Sequence, residues 1–589
     1  MAFLDREALY KQVWDEFNVQ RKLCTADRKC WKMVACVGTP GSGKTRFLAE
    51  VLKAPHPLVA SHFRNYAHIH ATYNNGNETT QWDLTLPPNQ SFATRLLYHY
   101  FVEHRGVNPK CISSFFNEVG EKTEYHWVDF YTALTLIRDD VIAQQKLDCR
   151  ETVHVAIGVD EFNKLLPSTN PHASPLLLKQ LVASLGSTMI SPPPDTKFYV
   201  LFGGTASHSV QDAGLGSSFD VTLLRLPPLK IDSSIFIAEQ ILSWEHVRTN
   251  PCLRSLLVDI GGHPRLLQYL LQLLKEYQSP EEVDWCKIQI EYSRVVRERL
   301  SGVAADVLVI ALRDFITQKI VEPYNFIKPG VTYEDLEQKE IGLSLVRDKD
   351  GCKIYWPFIC LQSWCLGSRD TSLALYQAVQ GVCRSTLTAE LYTWQNFERF
   401  CAQFMALRIA SYAEQGNISL AGFLRGAVFS QLTKFDIELV LKDIQTGLVR
   451  ESDDTFPSKK SLRRNGGLID WQQTGQVVVN NEGAPFDFFF NVPATGLTKG
   501  FFICGQVKYY TTATLTAQMV QREYKKVKKA MKKAKFGDWC LLIVTIGDFD
   551  GLADDIPERC ALVSRKNFEE FFTKTFADRA QFSCKFTAG

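Results

Sequence analysis

The chain has 589 residues, with 66 Lys+Arg against 64 Asp+Glu and a formal net charge of +2. Hydrophobic residues make up 45% and charged residues 22%, which excludes a mostly disordered or collagen-like chain; the length allows about three to five domains. The near-zero net charge excludes a global attraction to nucleic acid or membranes, so any such affinity must be local.

The cysteines and the N-terminal segment indicate a reducing compartment. Sixteen cysteines are scattered from Cys24 to Cys584 without a CxxC pair, which favours buried thiols over a disulfide framework or structural zinc. The N-terminal segment carries acidic residues and helical apolar spacing, so we expect no conventional signal peptide. No run of about 18 apolar residues is present, and we expect no membrane span.

A phosphate-binding loop is the first strong pattern along the chain. The apolar run 33–37 is followed by GTPGSGKT and then by a helix-like segment, the strand–loop–helix order of a P-loop NTPase. Lys44 is predicted to reach the β- and γ-phosphates of ATP, and the Thr45 hydroxyl to hold Mg²⁺. The alternative, a chance glycine-rich turn, does not account for the complete motif. The predicted nucleotide-binding residues of this loop are Gly38, Gly41, Ser42, Gly43, Lys44 and Thr45.

An acidic pair ends the next long apolar run. The segment VHVAIGVDEF at 153–162 ends in Asp160 and Glu161. We predict that Asp160 supports the Mg²⁺ through water and that Glu161 polarises the attacking water. The alternative is that the pair merely starts the next helix. Together with the loop, the pair predicts hydrolysis of ATP and not only its binding.

Two further residues are predicted to sense the bound nucleotide. The run KFYVLFGGTASHS ends in small polar residues, and Thr205 is the predicted γ-phosphate sensor, with Ser207 and His208 equally close in sequence. The segment IGGHPRLLQYLLQLL at 260–274 reads as a glycine turn, a proline at a helix start and an apolar helix. Arg265, in its first turn, is predicted to fold back onto the nucleotide as second-sensor arginines do. The alternative is a surface arginine on a packing helix.

The predicted fold class is α/β: a P-loop NTPase of AAA+/STAND type with a helical lid and a winged-helix-like module, followed by an α/β restriction-endonuclease-like domain. The winged-helix-like module shows no basic recognition helix, so we assign it no nucleic-acid role. The predicted domains are 1–230 (P-loop NTPase core), 231–300 (helical lid), 301–384 (winged-helix-like module) and 385–589 (nuclease domain).

The last domain carries a second constellation of polar residues. The strand-like segment GAPFDFFFNV places Asp487 after Pro485 and Phe486, and the next strand, FFICGQVKYY, places Gln506 and Lys508 on one face. This is the spacing of the PD-(D/E)XK nuclease signature. A hydrolytic phosphodiesterase needs oxygen ligands on a divalent metal and a cation near the attacking water. We therefore predict catalysis by these three residues, with Mg²⁺ on Asp487 and Gln506.

The constellation departs from the signature at one position. Gln506 stands where an acid is usual, and its neutral amide oxygen offers less charge to Mg²⁺. Glu398, in the preceding amphipathic helix, is predicted as a further catalytic residue that adds a carboxylate to the metal, as an early-helix glutamate does in this nuclease fold. The alternative is an ordinary exposed helix glutamate.

A lysine-rich helix follows the predicted catalytic strands. The segment 516–536 holds seven lysines, which predict contacts to DNA phosphates beside the cleavage centre. The alternatives are a solvated helix face or a nuclear-import signal. Gln518 and Gln521 in the same helix are weaker candidates for touching substrate or orienting Lys508. The lysines that share one helix face are Lys525, Lys528, Lys532 and Lys535.

In this combination of motifs the chain resembles the Crinkler-RHS-type proteins, that is, Crinkler effectors and retrotransposon hot spot proteins. The segment TYNNGN at 72–77 is similar to a strand–loop of that family. The resemblance implies an ATPase–nuclease that acts on double-stranded DNA, often in a host nucleus, where DNA damage leads to cell death. The LFLAK-type header of the effectors is not seen, which leaves secretion and host delivery open.

Three function classes follow from these patterns. The leading hypothesis is an ATP-gated, Mg²⁺-dependent DNA endonuclease that acts in the nucleus as a homo-oligomer. The second is a nucleotide-switched signalling or DNA-binding protein whose nuclease-like domain is weak or inactive. The third is a DNA-moving motor without cleavage, for which neither helicase motifs nor a second ATPase core is evident.

Overall fold

The computed structural model divides into two compact units. Unit 1 comprises Met1–Ser233, His263–Arg265 and Glu322–Arg347, and unit 2 comprises Ser234–Gly262, Leu266–Val321 and Asp348–Gly589. The predicted domain boundaries after 230, 300 and 384 stay predictions. The structure describes residues 4–74, 76–106, 111–121, 128–166, 174, 176–205, 207–300, 303–339, 342–367, 374–385, 393–413, 416–430, 437–442, 444, 448–459, 461–472, 474–510 and 513–585.

Helices and strands alternate along the described residues. The helices are α1 (Glu7–Arg21), α2 (Lys44–Lys53), α3 (Gln81–Thr85), α4 (Pro88–Leu97), α5 (Ile112–Glu121), α6 (Phe130–Gln145), α7 (Leu177–Ile190), α8 (Ser207–Ser217), α9 (Ile231–Leu242), α10 (Pro251–Ile260), α11 (Pro264–Leu274), α12 (Trp285–Leu300), α13 (Ala305–Ile316), α14 (Tyr333–Glu337), α15 (Phe358–Gly367), α16 (Ala374–Ser385), α17 (Thr393–Tyr412), α18 (Leu420–Phe423), α19 (Ala517–Ala534) and α20 (Phe568–Lys585). The strands are β1 (Lys32–Val37), β2 (Tyr66–Thr72), β3 (Val153–Asp160), β4 (Thr196–Gly204), β5 (Asp220–Arg225), β6 (Phe326–Lys328), β7 (Val331–Thr332), β8 (Ser344–Asp348), β9 (Gly351–Tyr355), β10 (Asn417–Ser419), β11 (Val428–Phe429), β12 (Glu438–Val440), β13 (Val449–Glu451), β14 (Arg463–Arg464), β15 (Gly467–Leu468), β16 (Val477–Val479), β17 (Phe488–Ala494), β18 (Leu497–Lys508), β19 (Leu515–Thr516), β20 (Trp539–Thr545), β21 (Phe549–Asp550) and β22 (Cys560–Val563).

Unit 1 is built on a parallel sheet whose strand order is β2-β3-β4-β1-β5. The side chains of β1 alternate between two buried clusters, with Met33, Ala35 and Val37 in one and Val34 and Cys36 in the other. Such near-continuous apolar strands are typical of a parallel sheet covered by helices on both faces. The α/β class is thus confirmed for this unit, and the sheet with its helices fits an AAA+-type P-loop fold.

The sheet places the predicted nucleotide residues at one edge. In a parallel sheet the carboxyl ends of the strands lie together, and ligands bind in the crevice outside them. The glycine-rich loop follows β1, Asp160 ends β3, and Thr205 directly follows β4. Asp160 is paired with Gly203 across the β3–β4 ladder, two residues before Thr205.

A later segment of the chain also belongs to unit 1. Arg225, at the end of β5, donates hydrogen bonds to both carboxylate oxygens of Glu337 in α14, each at 3.0 Å. Glu337 is 1% exposed and also accepts a hydrogen bond from the backbone N–H of Leu345 at 3.0 Å. A bidentate guanidinium–carboxylate pair fixes geometry as well as charge. The segment Glu322–Arg347 is held in unit 1 by these contacts.

Unit 2 contains a mixed sheet of strands along the order β10-β12-β17-β18-β20-β22-β11, with β16 paired to β17 and to β13. Strand β17 is antiparallel to both β16 and β18, whereas β20 is parallel to β18. A parallel pair needs a crossover connection, and α19 provides it between β18 and β20. The helix buries Val520, Val527 and Met531 in the same cluster as Phe502 of β18.

None of the helices within the described ranges combines the length and the apolar character needed to cross a membrane.

Candidate functional site

The phosphate-binding loop has the backbone that its glycines predict. Gly41 and Gly43 have φ of +79° and +95°, a region that favours glycine. A Cβ atom on Gly41 would lie 2.5 Å from the Cβ of Arg265, so this position also lacks room for a side chain. Helix α2 begins at Lys44 directly after Gly43, and its unpaired N–H groups make the loop an anion-binding site.

Lys44 lies inside this loop. Its side chain is buried, and its Nζ donates hydrogen bonds to the backbone carbonyls of Gly38 at 2.9 Å and Thr39 at 2.8 Å. Burial lowers the pKa of Lys44, and the negative charges of Glu161 and Asp160 oppose that shift. The ammonium group is therefore held where the phosphates of a nucleotide would neutralise it.

Asp160 has the character of a metal-supporting carboxylate. It is 0% exposed, and neither of its carboxylate oxygens completes a hydrogen bond. Burial raises its pKa, while the nearby Thr45 hydroxyl and Lys44 ammonium lower it. Unpaired oxygens on a buried carboxylate carry a desolvation cost that a cation would remove. Asp160 and Thr45 thus fit Mg²⁺ as the sequence predicts.

Few protein ligands surround this cation position. The described residues include no group of three or more His, Cys, Asp or Glu side chains that could hold a metal ion. Mg²⁺ usually keeps several waters and takes one or two carboxylates together with substrate phosphates.

Glu161 follows Asp160 in an unusual backbone conformation. Its φ of 56° lies in the left-handed region, which costs a non-glycine residue of order 1–3 kcal/mol and is concentrated at functional sites. The conformation turns the chain sharply at the end of β3. Glu161 is near enough to Lys44 to oppose the lowering of the lysine pKa.

The two predicted sensors lie at the same edge of unit 1. Thr205 is 6% exposed just beyond β4. The side chains of Ser207 and His208, the two alternatives, fall outside the described residues. Arg265 is the second residue of α11, and its backbone N–H donates to the carbonyl of Gly41 at 3.2 Å. Its side chain lies against Gly41 of the glycine loop.

Two histidines at this site were not predicted from the sequence. The Nε2 of His263 lies 3.5 Å from the Oγ1 of Thr39. The Nε2 of His70, in β2, lies 3.8 Å from Oδ2 of Asp160. Burial lowers the pKa of each histidine to about 4. Both are neutral at pH 7, so the His70–Asp160 contact is not an ion pair there.

The TYNNGN segment is anchored next to Asp160. The backbone N–H of Tyr73 donates to the carbonyl of Asp160 at 3.2 Å. Arg95 is 0% exposed and donates to the carbonyls of Thr72 and Asn77 at 2.7 and 2.8 Å. Its guanidinium lies over the ring of Tyr73 at 4.2 Å. One buried arginine thus fixes the loop beside the acidic pair.

This arrangement predicts a stability effect for Asp83, which balances the charge of Arg95. The Nε and NH2 atoms of Arg95 donate to its two carboxylate oxygens at 3.2 and 2.5 Å, and both side chains are fully buried. We expect Asp83→Asn to lower the free energy of unfolding by about 3 kcal/mol, because a buried charge loses its partner. Urea unfolding measures it. The exposed Lys11–Asp15 pair supplies the control: Asp15→Asn should cost less than about 1 kcal/mol. Equal effects of the two variants would contradict this account.

A second cluster lies in unit 2, where β17 and β18 meet. Oδ2 of Asp487 accepts hydrogen bonds from Nε2 of Gln506 and from the backbone N–H of Val507, both at 2.6 Å. The backbone N–H of Asp487 donates to the carbonyl of Gly505 at 2.9 Å. The two halves of the predicted nuclease signature are thus brought into direct contact.

Glu398 belongs to the same cluster. It lies near the start of α17, and burial together with the negative charge of Asp487 raises its pKa, opposed by Lys508 and Arg399. Burial likewise raises the pKa of Asp487. Two carboxylates close together in a partly desolvated site repel each other unless a cation lies near them. The structure therefore gathers Glu398, Asp487 and Lys508 at one site.

Glu523 in α19 is a member of the cluster that the sequence did not reveal. Its Oε1 lies 3.2 Å from Nζ of Lys508, and its side chain is 8% exposed. It is the only acidic residue in α19. Its position among lysines is the feature of the sequence that could have identified it as a site residue. The predicted role of Gln521 differs from its contact, since its Nε2 donates to the carbonyl of Asp555 at 3.4 Å.

The lysine face of α19 points to solvent. The opposite face is buried, and Lys535 ends the helix in a left-handed conformation with φ of 61°. The predicted phosphate contacts Lys525, Lys528, Lys532 and Lys535 are all exposed. A cationic surface therefore lies on the helix that also contributes Glu523.

Comparison with known proteins adds little to this geometry. No family model matches the sequence. No curated protein matches it. Solved structures with partial similarity include the ORC2 protein of Aeropyrum pernix in complexes with ADPNP and ADP (14% identity, 53% of this chain and 73% of that chain, TM-score 0.32). The ORC1 protein of the same organism in complex with DNA (12%, 62% and 93%, TM-score 0.29) and a RuvB mutant of Thermotoga maritima (14%, 59% and 92%, TM-score 0.27) are also similar. TM-scores this low assign neither function nor site residues to this chain.

Proposed function

We propose that the protein is a nucleotide-hydrolysing, Mg²⁺-dependent DNA endonuclease in which unit 1 hydrolyses ATP and unit 2 cleaves DNA. The observation that carries the proposal is the contact of Asp487 with Gln506 and Val507 at 2.6 Å, beside Glu398 and Lys508. It joins three segments that are far apart in the sequence into one polar cluster.

The order of elements around this cluster supports a PD-(D/E)XK-like domain. After α17 and the short elements from β10 to β15 come β16, β17 and β18, in which β17 is antiparallel to both neighbours. Helix α19 and the strand β20, which is parallel to β18, follow them. Asp487 immediately precedes β17, and Lys508 ends β18. In the proposed site Asp487 and Gln506 would hold Mg²⁺, which would supply Lewis-acid activation of water and neutralise negative charge on the phosphate.

Each residue of the cluster has a separate proposed role in this chemistry. Asp487 is held by two hydrogen bonds on Oδ2, which leaves Oδ1 as the oxygen to face a cation. Lys508 is 21% exposed and supplies positive charge next to the attacked phosphate. Glu398, with its raised pKa, is suited to exchange a proton with water or with the leaving oxygen.

For unit 1 the proposed reaction is hydrolysis of ATP. The loop N–H groups and Lys44 hold the phosphates, Thr45 and Asp160 support Mg²⁺, and Glu161 polarises the attacking water. Thr205 and Arg265 respond to the γ-phosphate from two sides of the loop. Loss of that phosphate would alter their contacts and thereby gate the DNA-cleaving unit.

The biological setting of the proposal follows from the resemblance to Crinkler-RHS-type proteins. We infer action on double-stranded DNA in a nucleus, with DNA damage and cell death as the outcome. A homo-oligomer is also proposed, because ATPases of this kind commonly assemble.

A plasmid assay tests the proposal. The purified chain is incubated with supercoiled plasmid and Mg²⁺, with and without ATP, and nicked or linear DNA is expected. If ATP is hydrolysed and DNA is bound, but neither Mg²⁺ nor Mn²⁺ supports strand scission, the endonuclease assignment is wrong.

The second candidate is a nucleotide-switched DNA-binding protein without cleavage. It is favoured by the neutral amide of Gln506 and by the pairing of Lys508 with Glu523 at 3.2 Å. In that case the lysine face of α19 would still bind DNA, and turnover of ATP would control that binding.

The salt dependence of DNA binding tests the lysine face directly. The tested variant replaces Lys525, Lys528, Lys532 and Lys535 with glutamine. We expect it to bind every DNA sequence more weakly. The slope of log affinity against log salt should also become shallower by roughly 0.9 per lost phosphate contact. Fluorescence anisotropy over a series of KCl concentrations measures both. As a matched control, glutamine replaces four exposed lysines of unit 1, Lys11, Lys22, Lys29 and Lys53. An equal loss in the control would show a general charge effect instead of a defined surface.

A further inference from the structure

Gln506 leaves the proposed cation site short of one negative charge. Its Nε2 donates to Asp487, and its Oε1 is buried and accepts no hydrogen bond. The residue is 4% exposed, so water does not readily satisfy that oxygen. A buried amide oxygen without a donor is costly. The cluster thus keeps an unpaired acceptor at the position where the signature usually has a carboxylate.

Glu523 presents a second unpaired acceptor to the same cluster. Its Oε1 lies 3.2 Å from Lys508, but its Oε2 is buried and accepts no hydrogen bond. Nζ of Lys526 lies 4.0 Å from Oε2, and a guanidinium nitrogen of Arg522 lies 3.7 Å from Oε1. Lys508 lies two residues after Gln506 on the same face of β18, so its contact with Glu523 brings this carboxylate to the face that carries Gln506. A carboxylate used only to neutralise Lys508 would not need a buried second oxygen that accepts no hydrogen bond.

We propose that Glu523 supplies the carboxylate that Gln506 lacks, so that Asp487, Gln506 and Glu523 together bind the divalent cation of the nuclease site. Lys508 holds Glu523 through Oε1 and leaves Oε2 for the cation. Hard cations such as Mg²⁺ and Mn²⁺ take carboxylate and amide oxygens together, and two carboxylates with one amide restore the charge of the usual set. This inference rests on the proposed nuclease function.

Binding of Mn²⁺ tests the inference without relying on cleavage. Free Mn²⁺ is measured by electron paramagnetic resonance on the full chain without nucleotide, in an Asp160→Asn background that removes the other proposed cation site. We expect Glu523→Gln to weaken Mn²⁺ binding by roughly 10- to 100-fold, the range found when the surroundings of a metal are altered. Glu482→Gln, at an exposed position of the same unit, should leave it unchanged.

An exchange of charge separates this role from a structural one. The double variant Gln506→Glu/Glu523→Gln moves the acid to the position where the signature has it, and we expect it to recover most of the lost Mn²⁺ affinity. Thermal melting is followed in every variant. A double variant that melts like the parent chain but does not regain Mn²⁺ binding overturns the inference, and so does a Glu523→Gln variant that binds Mn²⁺ normally.

The failure of this inference differs from the failure of the proposed function. If Asp487→Asn abolishes Mn²⁺ binding while Glu523→Gln does not, the nuclease site stands and Glu523 is not part of it. If the parent chain in the Asp160→Asn background binds no Mn²⁺, both proposals fail together.

Discussion

Replacing Lys44 with alanine is expected to reduce ATP turnover by at least about 100-fold, the effect of removing one preorganised charge or donor from a transition state. Lys44 is 4% exposed and is held by the carbonyls of Gly38 and Thr39, so its ammonium is already in the loop before a phosphate binds. No other lysine lies in the loop sequence from 38 to 45. Steady-state phosphate release and binding of a labelled nucleotide measure the change.

A lysine in the same helix provides the matched control. Lys53 ends α2 with its side chain 60% exposed and pairs with Glu50 at 2.9 Å. Lys53→Ala removes the same charge from the same helix and should leave turnover within a few-fold of the parent chain. The assignment of the nucleotide site is wrong if the two variants hydrolyse ATP equally well.

The Lys44→Ala variant also shows whether ATP hydrolysis and DNA cleavage are coupled. If Lys44→Ala also loses plasmid cleavage while the fold of unit 2 is preserved, nucleotide turnover gates the nuclease. Unchanged cleavage would show that ATP hydrolysis at most modulates DNA cleavage. Circular dichroism of the variant establishes that neither unit has unfolded.

The nucleotide site is more predictable from sequence than the other features because its parts are local. The loop, its glycines and the start of α2 lie within 38–45, and backbone geometry alone dictates which residues face a phosphate. Asp160 could be found because β3 is an unbroken apolar strand that ends in an acid. In such cases one short segment carries both the structural signal and the chemistry.

The residues that sequence analysis missed reach their sites from distant segments. His70 lies next to Asp160 only because β2 and β3 are neighbours in the sheet, a pairing that composition does not reveal. His263 meets Thr39 through the turn before α11. Glu523 faces Lys508 because α19 crosses from β18 to β20. Such contacts depend on strand order and helix placement, which a single sequence specifies weakly.

The division of the chain into units was hidden for a similar reason. Arg225 and Glu337 are joined by two hydrogen bonds of 3.0 Å, although more than a hundred residues separate them in sequence. Helix and strand patterns identify the elements between them but not the return of the chain to the first unit.

Replacing Asp487 with asparagine is expected to lower the rate of DNA cleavage by roughly 100- to 1,000-fold, since several kcal/mol of metal-dependent stabilisation would be lost. The substitution keeps the size of the side chain and an oxygen that accepts the hydrogen bonds of Gln506 and Val507. It removes only the negative charge. Because burial already raises the pKa of Asp487, a neutral side chain at this position should cost little stability.

Two measurements decide why DNA cleavage is slower in Asp487→Asn. Asp550→Asn, at an exposed position of unit 2, should cleave plasmid like the parent chain. DNA binding should survive in Asp487→Asn, because the lysine face of α19 is untouched. Loss of scission with retained binding is the result that only a catalytic cluster explains, whereas retained scission would return unit 2 to the role of a DNA-binding module.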